Sequence, residues 1–238
     1  MPPQIGTVEA IHGTGHSNTR WCAVLLVSPE CRIAINSNGM NANFQPYSGG
    51  SSSLLVSAQQ FLRQPSQVGS AFPASRYLVD ALLDPVDWSK ASVVVEYGPG
   101  SGPVTRALLA RMPRKSCLVA IDLSPHFTHH LRSTIRDPRL LAVTACAGSA
   151  GAILNHHRLE RADAVVTGIP FSTMTKKTGA RILDVSADVL QSDGQLLAYQ
   201  MRSTIAPMLA QRFADIKTSR VWRNLPPCHL YWATSPVA

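Results

Sequence analysis

Val93-Val94-Val95-Glu96-Tyr97-Gly98-Pro99-Gly100-Ser101-Gly102-Pro103 decides how the chain is read. Three branched apolar residues run into an acid, as a strand buried on both faces of a parallel sheet does. Glycine then stands at every second position, and a helix pattern follows Pro103 at once. Glycines at 98, 100 and 102 permit backbone conformations closed to other residues and let a ligand lie against the chain itself. The spacing is not that of the dinucleotide fingerprint, in which two residues separate the last two glycines; here there is one.

That departure has a physical reading. A pyrophosphate calls for a helix N-terminus aimed at it, whereas an acid at the strand end suits a cationic, phosphate-free ligand. S-adenosyl-L-methionine fits: Glu96 can meet its ammonium side, directly or through water, and the turn can take its amino-acid arm. Residues 95–102 resemble motif I of the class I S-adenosylmethionine-dependent methyltransferases. Asp122 closes a second apolar strand 20 residues after Gly102, where a carboxylate can accept both hydroxyls of a ribose. Leu123 is placed to pack on the adenine ring, and Ser124-Pro125 starts the next helix. After a third strand at 140–145 the chain reads Ala147-Gly148-Ser149, where family members usually carry an acid for the adenine amine. The Ser149 hydroxyl can still accept a hydrogen bond, without charge assistance.

The fourth strand, 162–167, runs into Gly168-Ile169-Pro170-Phe171. In this fold that loop borders the transferred methyl group. Adenine methyltransferases carry Asn or Asp ahead of the prolines there; this chain has Thr167-Gly168-Ile169-Pro170-Phe171 and is similar to the Ser-Gly-Leu-Pro segment of bacterial phospholipid N-methyltransferases. Residues 222–232, Trp-Arg-Asn-Leu-Pro-Pro-Cys-His-Leu-Tyr-Trp, resemble a second segment of those enzymes, with a hairpin turn at Arg223-Asn224. A helix is expected over 178–190, a turn at Asp193-Gly194, a strand over 195–201 and a helix over 203–213. The resemblance covers residues 58–234. It implies an α/β, Rossmann-like methyltransferase fold: a seven-stranded mixed sheet, mostly parallel, with a terminal antiparallel hairpin and helices on both faces.

Upstream, residues 1–53 are rich in Asn, Ser and Gly and do not pattern as a domain, so a poorly ordered extension is expected there. Met40 invites the expectation that translation starts late and that residues 1–39 belong to the gene annotation alone. From residue 54 to 238 the chain reads as the methyltransferase domain. It begins with an amphipathic helix at 54–64, which either packs on the domain or lies on a membrane surface. The loop after it holds Gly69, Ser70 and Phe72, which the resemblance places over the methionine end of the cofactor. Ser75 is an N-cap for the helix that follows.

Composition bounds the rest. Forty-five per cent hydrophobic content over 238 residues can fill a core, and no apolar run reaches the roughly 18 residues of a membrane span. Five cysteines without a C-x-x-C pair argue against a disulfide framework or a structural zinc site. No metal is expected, since His129-His130 and His156-His157 are helix neighbours that point to different faces. Residues 1–53 are charge-balanced, so the net charge of +8 belongs to the remainder and implies an anionic partner, a phospholipid surface or an RNA. No obligate protein partner is implied. The resulting expectation is a cytoplasmic enzyme, peripheral at the inner face of the membrane, that methylates the amine of phosphatidylethanolamine or a related amino-lipid. Glu96, Gly98, Gly100, Gly102, Asp122, Leu123 and Ser149, with Gly69 and Ser70, would hold the cofactor. Thr167, Gly168, Ile169, Pro170 and Phe171 would shape the acceptor site, with Tyr97, Tyr199 or His229 as hydrogen-bonding partners for the amine. An RNA adenine N6-methyltransferase and a non-catalytic cofactor- or RNA-binding module are the alternatives.

Overall fold

The protein is described here from a computed structural model covering residues 21–28, 31–36 and 74–237. The helix expected at 54–64 and the candidate residues Gly69 and Ser70 lie outside the described residues. Within the first of two units, residues 1–50, strands β1 (Trp21–Ser28) and β2 (Cys31–Asn36) pair antiparallel.

The second unit carries a seven-stranded sheet. Its strands are β3 (Val93–Tyr97), β4 (Cys117–Asp122), β5 (Leu140–Thr144), β6 (Ala162–Thr167), β7 (Leu190–Gln200), β8 (Phe213–Val221) and β9 (Cys228–Pro236). They lie in the order β5-β4-β3-β6-β7-β9-β8, parallel from β5 to β7 and antiparallel across β7/β9 and β9/β8. This is the expected mixed sheet with its terminal hairpin. β3 lies inside the sheet between β4 and β6, which is why its five residues are all buried and its apolar run Val93-Val94-Val95 does not alternate.

Because successive side chains leave a strand on opposite faces, the core divides in two. Val94, Leu118, Val166 and Leu197 pack on one face against α1 (Arg76–Leu83) and α2 (Pro103–Arg111). Val95, Val119, Val165 and Leu196 pack on the other against α4 (Ala150–His156) and α5 (Lys176–Val189). Helix α3 (Pro125–Thr134) covers the β4/β5 side through Leu131. Ser75 caps α1 as expected, its hydroxyl accepting from Leu78 N at 3.3 Å. Arg111 of α2 reaches Asp80 (3.0 Å) and Asp84 (2.7 Å), tying the two helices across their exposed edges.

Three local expectations are corrected. β7 begins at Leu190, straight off α5 and ahead of the expected start at 195, so the turn expected at Asp193-Gly194 lies inside it. Ala162 pairs with Leu190 but Ala164 with Gln195, and a Cβ on Gly194 would lie 3.1 Å from both N and O of Gln191 and 3.0 Å from Ala162 O, so the chain loops out and turns back at this glycine before pairing resumes. The helix expected over 203–213 is one 3-10 turn (Ser203–Ile205) and the short α6 (Ala206–Leu209), and Phe213 already opens β8. The last hairpin turns through all of 222–227, with a cis peptide at Leu225-Pro226.

Candidate active site

The order of the sheet reverses at β3: β4 lies on one side of it and β6, reached much later in the chain, on the other. The carboxyl ends flanking such a point form a crevice in open α/β sheets. Gly98, Gly100 and Gly102 all sit there at positive φ, 69°, 55° and 87°. Their reasons differ. A Cβ on Gly98 would lie 2.6 Å from Ile169 Cγ2, and one on Gly102 would lie 2.6 Å from Leu131 Cδ2, so these two glycines let neighbouring elements close in. Among the described residues, a Cβ on Gly100 would meet nothing within 4 Å. That is open space against bare backbone, the cradle the motif implies.

Two acids border it. Asp122, 9% exposed, accepts from Ser124 N at 2.8 Å through Oδ1 and from Gly100 N at 3.3 Å through Oδ2, so the turn and the carboxylate hold each other. Each oxygen keeps a lone pair, enough to receive two ribose hydroxyls. Burial pushes its carboxyl above the ordinary range, and the Ser124 and Gly100 amides oppose that. Glu96, 2% exposed, accepts from the Thr105 hydroxyl of α2 at 2.7 Å. Burial, opposed by the Thr105 hydrogen bond and reinforced by the charge of Asp122, pushes its carboxyl up to about 8. A buried acid with so little cationic company is suited to a positively charged ligand. The residues present therefore fit S-adenosylmethionine, with Asp122 toward the ribose, Gly100 under the arm and Glu96 toward the positive end.

The β6 end forms the opposite wall. Thr167 is fully buried, and its hydroxyl accepts from Ile169 N at 3.4 Å. At Gly168 a Cβ would fall 2.0 Å from the Tyr199 hydroxyl oxygen. By the register of the sheet, Glu96, Gly98, Gly168 and Tyr199 share one face, since Glu96 pairs with Val166 and Thr167 with Ala198. Gln200, the last residue of β7, holds the acceptor loop from below: its Oε1 accepts from Phe171 N at 3.2 Å and its Nε2 donates to Ile169 O at 2.8 Å. Phe171 is thereby fixed in the core and Pro170 spans the two contacts.

Of the proposed cofactor residues in the described part of the chain, Glu96, Gly98, Gly100, Gly102 and Asp122 are gathered at this crevice. Leu123, directly after Asp122, leaves an apolar side chain 39% exposed, open to a flat ring. Ser149 is 2% exposed at the start of α4, past the end of β5, the strand beside β4. Among the three suggested amine partners, Tyr97 points to the other face and is buried in the core there, and His229 pairs with Gln200 and stacks on Tyr231. Tyr199 alone faces the crevice. Thr105 and Gln200 were not singled out from the sequence; the available signal was a polar residue at an inward position of an otherwise apolar helix or strand. Among the described residues no group of three or more His, Cys, Asp or Glu comes together to hold a metal ion.

Comparison with known proteins agrees with this layout. The family model described as methyltransferase small domain matches residues 70–221. An ornithine lipid N-methyltransferase of Singulisphaera acidiphila is 26% identical over 175 residues, 73% of this chain and 91% of that protein. A ribosomal RNA small subunit methyltransferase A of Sulfurihydrogenibium is 31% identical over 65 residues, 27% of this chain and 25% of that protein. In fold, the chain resembles the N-methyltransferase NodS of Bradyrhizobium japonicum, solved with S-adenosyl-L-homocysteine: TM-score 0.56 at 14% identity, over 76% of this chain and 99% of that one. An O-methyltransferase of Thermotoga maritima superposes equally well, with TM-score 0.56 at 11% identity over 75% of this chain and 72% of that one.

Proposed function

The chain belongs to the methyltransferase small domain family, an enzyme with S-adenosylmethionine as methyl donor, and from that premise we propose that it N-methylates the amine headgroup of an amino-lipid at a membrane surface. The observation that carries this reading is the match to a lipid N-methyltransferase along nine-tenths of that protein's length. Phosphatidylethanolamine and ornithine-type lipids belong to the acceptor class, each offering a primary amine beside an anionic group. The enzyme would work as a peripheral protein on the cytoplasmic side. Among the described residues no helix is long and apolar enough to cross a membrane.

When bound, S-adenosylmethionine supplies a methyl group on a positively charged sulfur, an electrophile that needs alignment more than activation. The chain's part is therefore positional. Glu96 offers a buried carboxyl, protonated at neutral pH when no cation is beside it, that a cation nearby would hold ionised, and Asp122 fixes the ribose. Gly168 and Ile169 present backbone and a short apolar surface to the acceptor, a floor with no fixed carboxylate or amide to grip an adenine. Tyr199, at the edge of that floor, offers a hydroxyl that can accept from a neutral amine and hold its lone pair on line. Burial and the charges of Glu96 and Cys228 push this phenol well above its ordinary range, so it stays neutral and does not compete as a charge.

The second reading is an RNA adenine methyltransferase, favoured by the 65-residue match to the ribosomal RNA enzyme. Labelled S-adenosylmethionine, offered with amino-lipid vesicles and separately with total RNA, decides between them. The lipid reading expects label in the lipid fraction, and label confined to RNA would overturn it.

A further inference from the structure

The loop between β8 and β9 has no role in the site, yet it carries the two most exposed large apolar side chains among the described residues, Trp222 (69%) and Leu225 (76%). The loop does not hang free. Asn224 between them is buried, donates to Pro226 O at 2.8 Å, and accepts from Ser75 N at 3.0 Å. Ser75 Oγ adds a bond to Arg223 O at 3.3 Å. With Asn224 as an inward pivot, its apolar neighbours are held outward.

Cations surround them. The Arg220 guanidinium lies 4.0 Å over the Trp222 ring, and those of Arg223 and Arg76 lie 4.8 and 4.9 Å from the ring of Tyr77, itself 39% exposed. The position is also informative. β7 pairs with β9 as Gln200 with His229, and β8 with β9 as Val221 with Cys228, so the loop stands at the carboxyl end of β7, the end where Gly168 and Gly98 form the crevice.

We propose that residues 222–225, with Tyr77, Arg76 and Arg220, form a docking surface for an anionic lipid bilayer, set beside the crevice so that a headgroup passes from the membrane to the acceptor floor. The proposal rests on the lipid reading above. Indole at the water–lipid boundary, an aliphatic side chain beyond it and guanidinium groups at phosphate level is the chemistry of an interfacial anchor. A nucleic acid is the poorer fit. Arg220 already covers one face of Trp222, and Leu225, the most exposed large apolar group among the described residues, offers no ring for a base to stack on.

The test uses the full chain and vesicles of equal parts phosphatidylglycerol and phosphatidylethanolamine, with pure phosphatidylcholine vesicles as the neutral control. Flotation is compared for the wild type, W222S/L225S and R220Q/R223Q, and methylation of the same amino-lipid is measured both in vesicles and in detergent micelles. W222S/L225S should lower partition onto the anionic vesicles at least about tenfold and lower vesicle methylation with it, while micelle methylation stays within about twofold. R220Q/R223Q should lose the preference for anionic over neutral vesicles. The replaced side chains are exposed, so unchanged thermal unfolding identifies variants that keep the fold. Equal flotation of wild type and W222S/L225S overturns the proposal. So does loss, in these variants, of binding to an RNA fragment or of a self-associated state when the wild type itself ignores vesicles. If the wild type docks, the variants do not, and no lipid is methylated, the surface stands and the substrate assignment falls.

Discussion

Tyr199 occupies the place a side chain at Gly168 would need: its hydroxyl oxygen is 2.0 Å from where the Cβ would be. The glycine is required by a residue 31 positions away, brought alongside by the parallel pairing of β6 and β7. Replacing Gly168 with alanine should drive Tyr199 off the acceptor floor. A displacement on the order of 1 Å at such a site costs about 100-fold, so kcat/KM of G168A should fall between about 10- and 100-fold with S-adenosylhomocysteine affinity changed less than about threefold. Y199F, which keeps the ring and removes the hydroxyl, should lose about tenfold in kcat/KM. Equal turnover of Y199F and wild type would remove the hydroxyl from any part in positioning the amine.

Asp122 binds through atoms that the turn alone cannot replace. D122N keeps the shape but turns one acceptor oxygen into a donor facing Gly100 N or Ser124 N. Calorimetric titration with S-adenosylhomocysteine should show affinity reduced by about 10- to 100-fold, the range for losing hydrogen bonds to a charged group. Unchanged affinity would place the ribose elsewhere.

Glu96 makes the fold sensitive to pH in a stated direction. Its ordinary value is 4.5 and burial raises it to about 8, so between those limits the folded state holds a proton that the unfolded chain has released. That contribution to stability is whole below pH 4.5 and is lost as pH rises through about 8. Asp122, raised by burial, acts with the same sign. The unfolding midpoint of the wild type should therefore fall as pH is raised across this window, and that of E96Q, which keeps an acceptor for Thr105, should fall less. Parallel pH profiles for the two proteins would count against this assignment.

Tyr97 supplies a control on the opposite face. Among the described residues its buried hydroxyl makes no hydrogen bond of good geometry: the neighbouring Ser186 hydroxyl spends its proton on Ile182 O at 2.7 Å. Removing an unsatisfied buried hydroxyl is close to neutral or stabilising. Y97F should unfold at the same temperature as the wild type or higher and methylate at the same rate; a fall in stability above about 1 kcal/mol would reveal a bond this geometry lacks.

The parts of the fold written in local chemistry were legible in the sequence. Apolar runs at 93–95 and 162–167, the glycine turn and Asp122 at a strand end specify a parallel sheet and a crevice because each rests on neighbours in the chain. What needed register was not legible. Gly168 reads as part of a motif until Tyr199 is seen beside it, and Thr105 and Gln200 are ordinary polar residues until α2 and β7 carry them to Glu96 and to the acceptor loop. Asp193-Gly194 was legible as a turn, whereas the pairing of Leu190 with Ala162 that starts β7 ahead of it depends on the partner strand.

The bond from Ser75 N to Asn224 Oδ1 has a practical consequence. It fixes where the domain receives the preceding chain, at the crevice end of the sheet, whereas β9 carries the chain away to Pro236 at the far end. Immobilising the protein through residue 237 would leave the crevice and its rim clear. A bulky fusion joined at residue 74 would stand at the doorway and obstruct whatever enters.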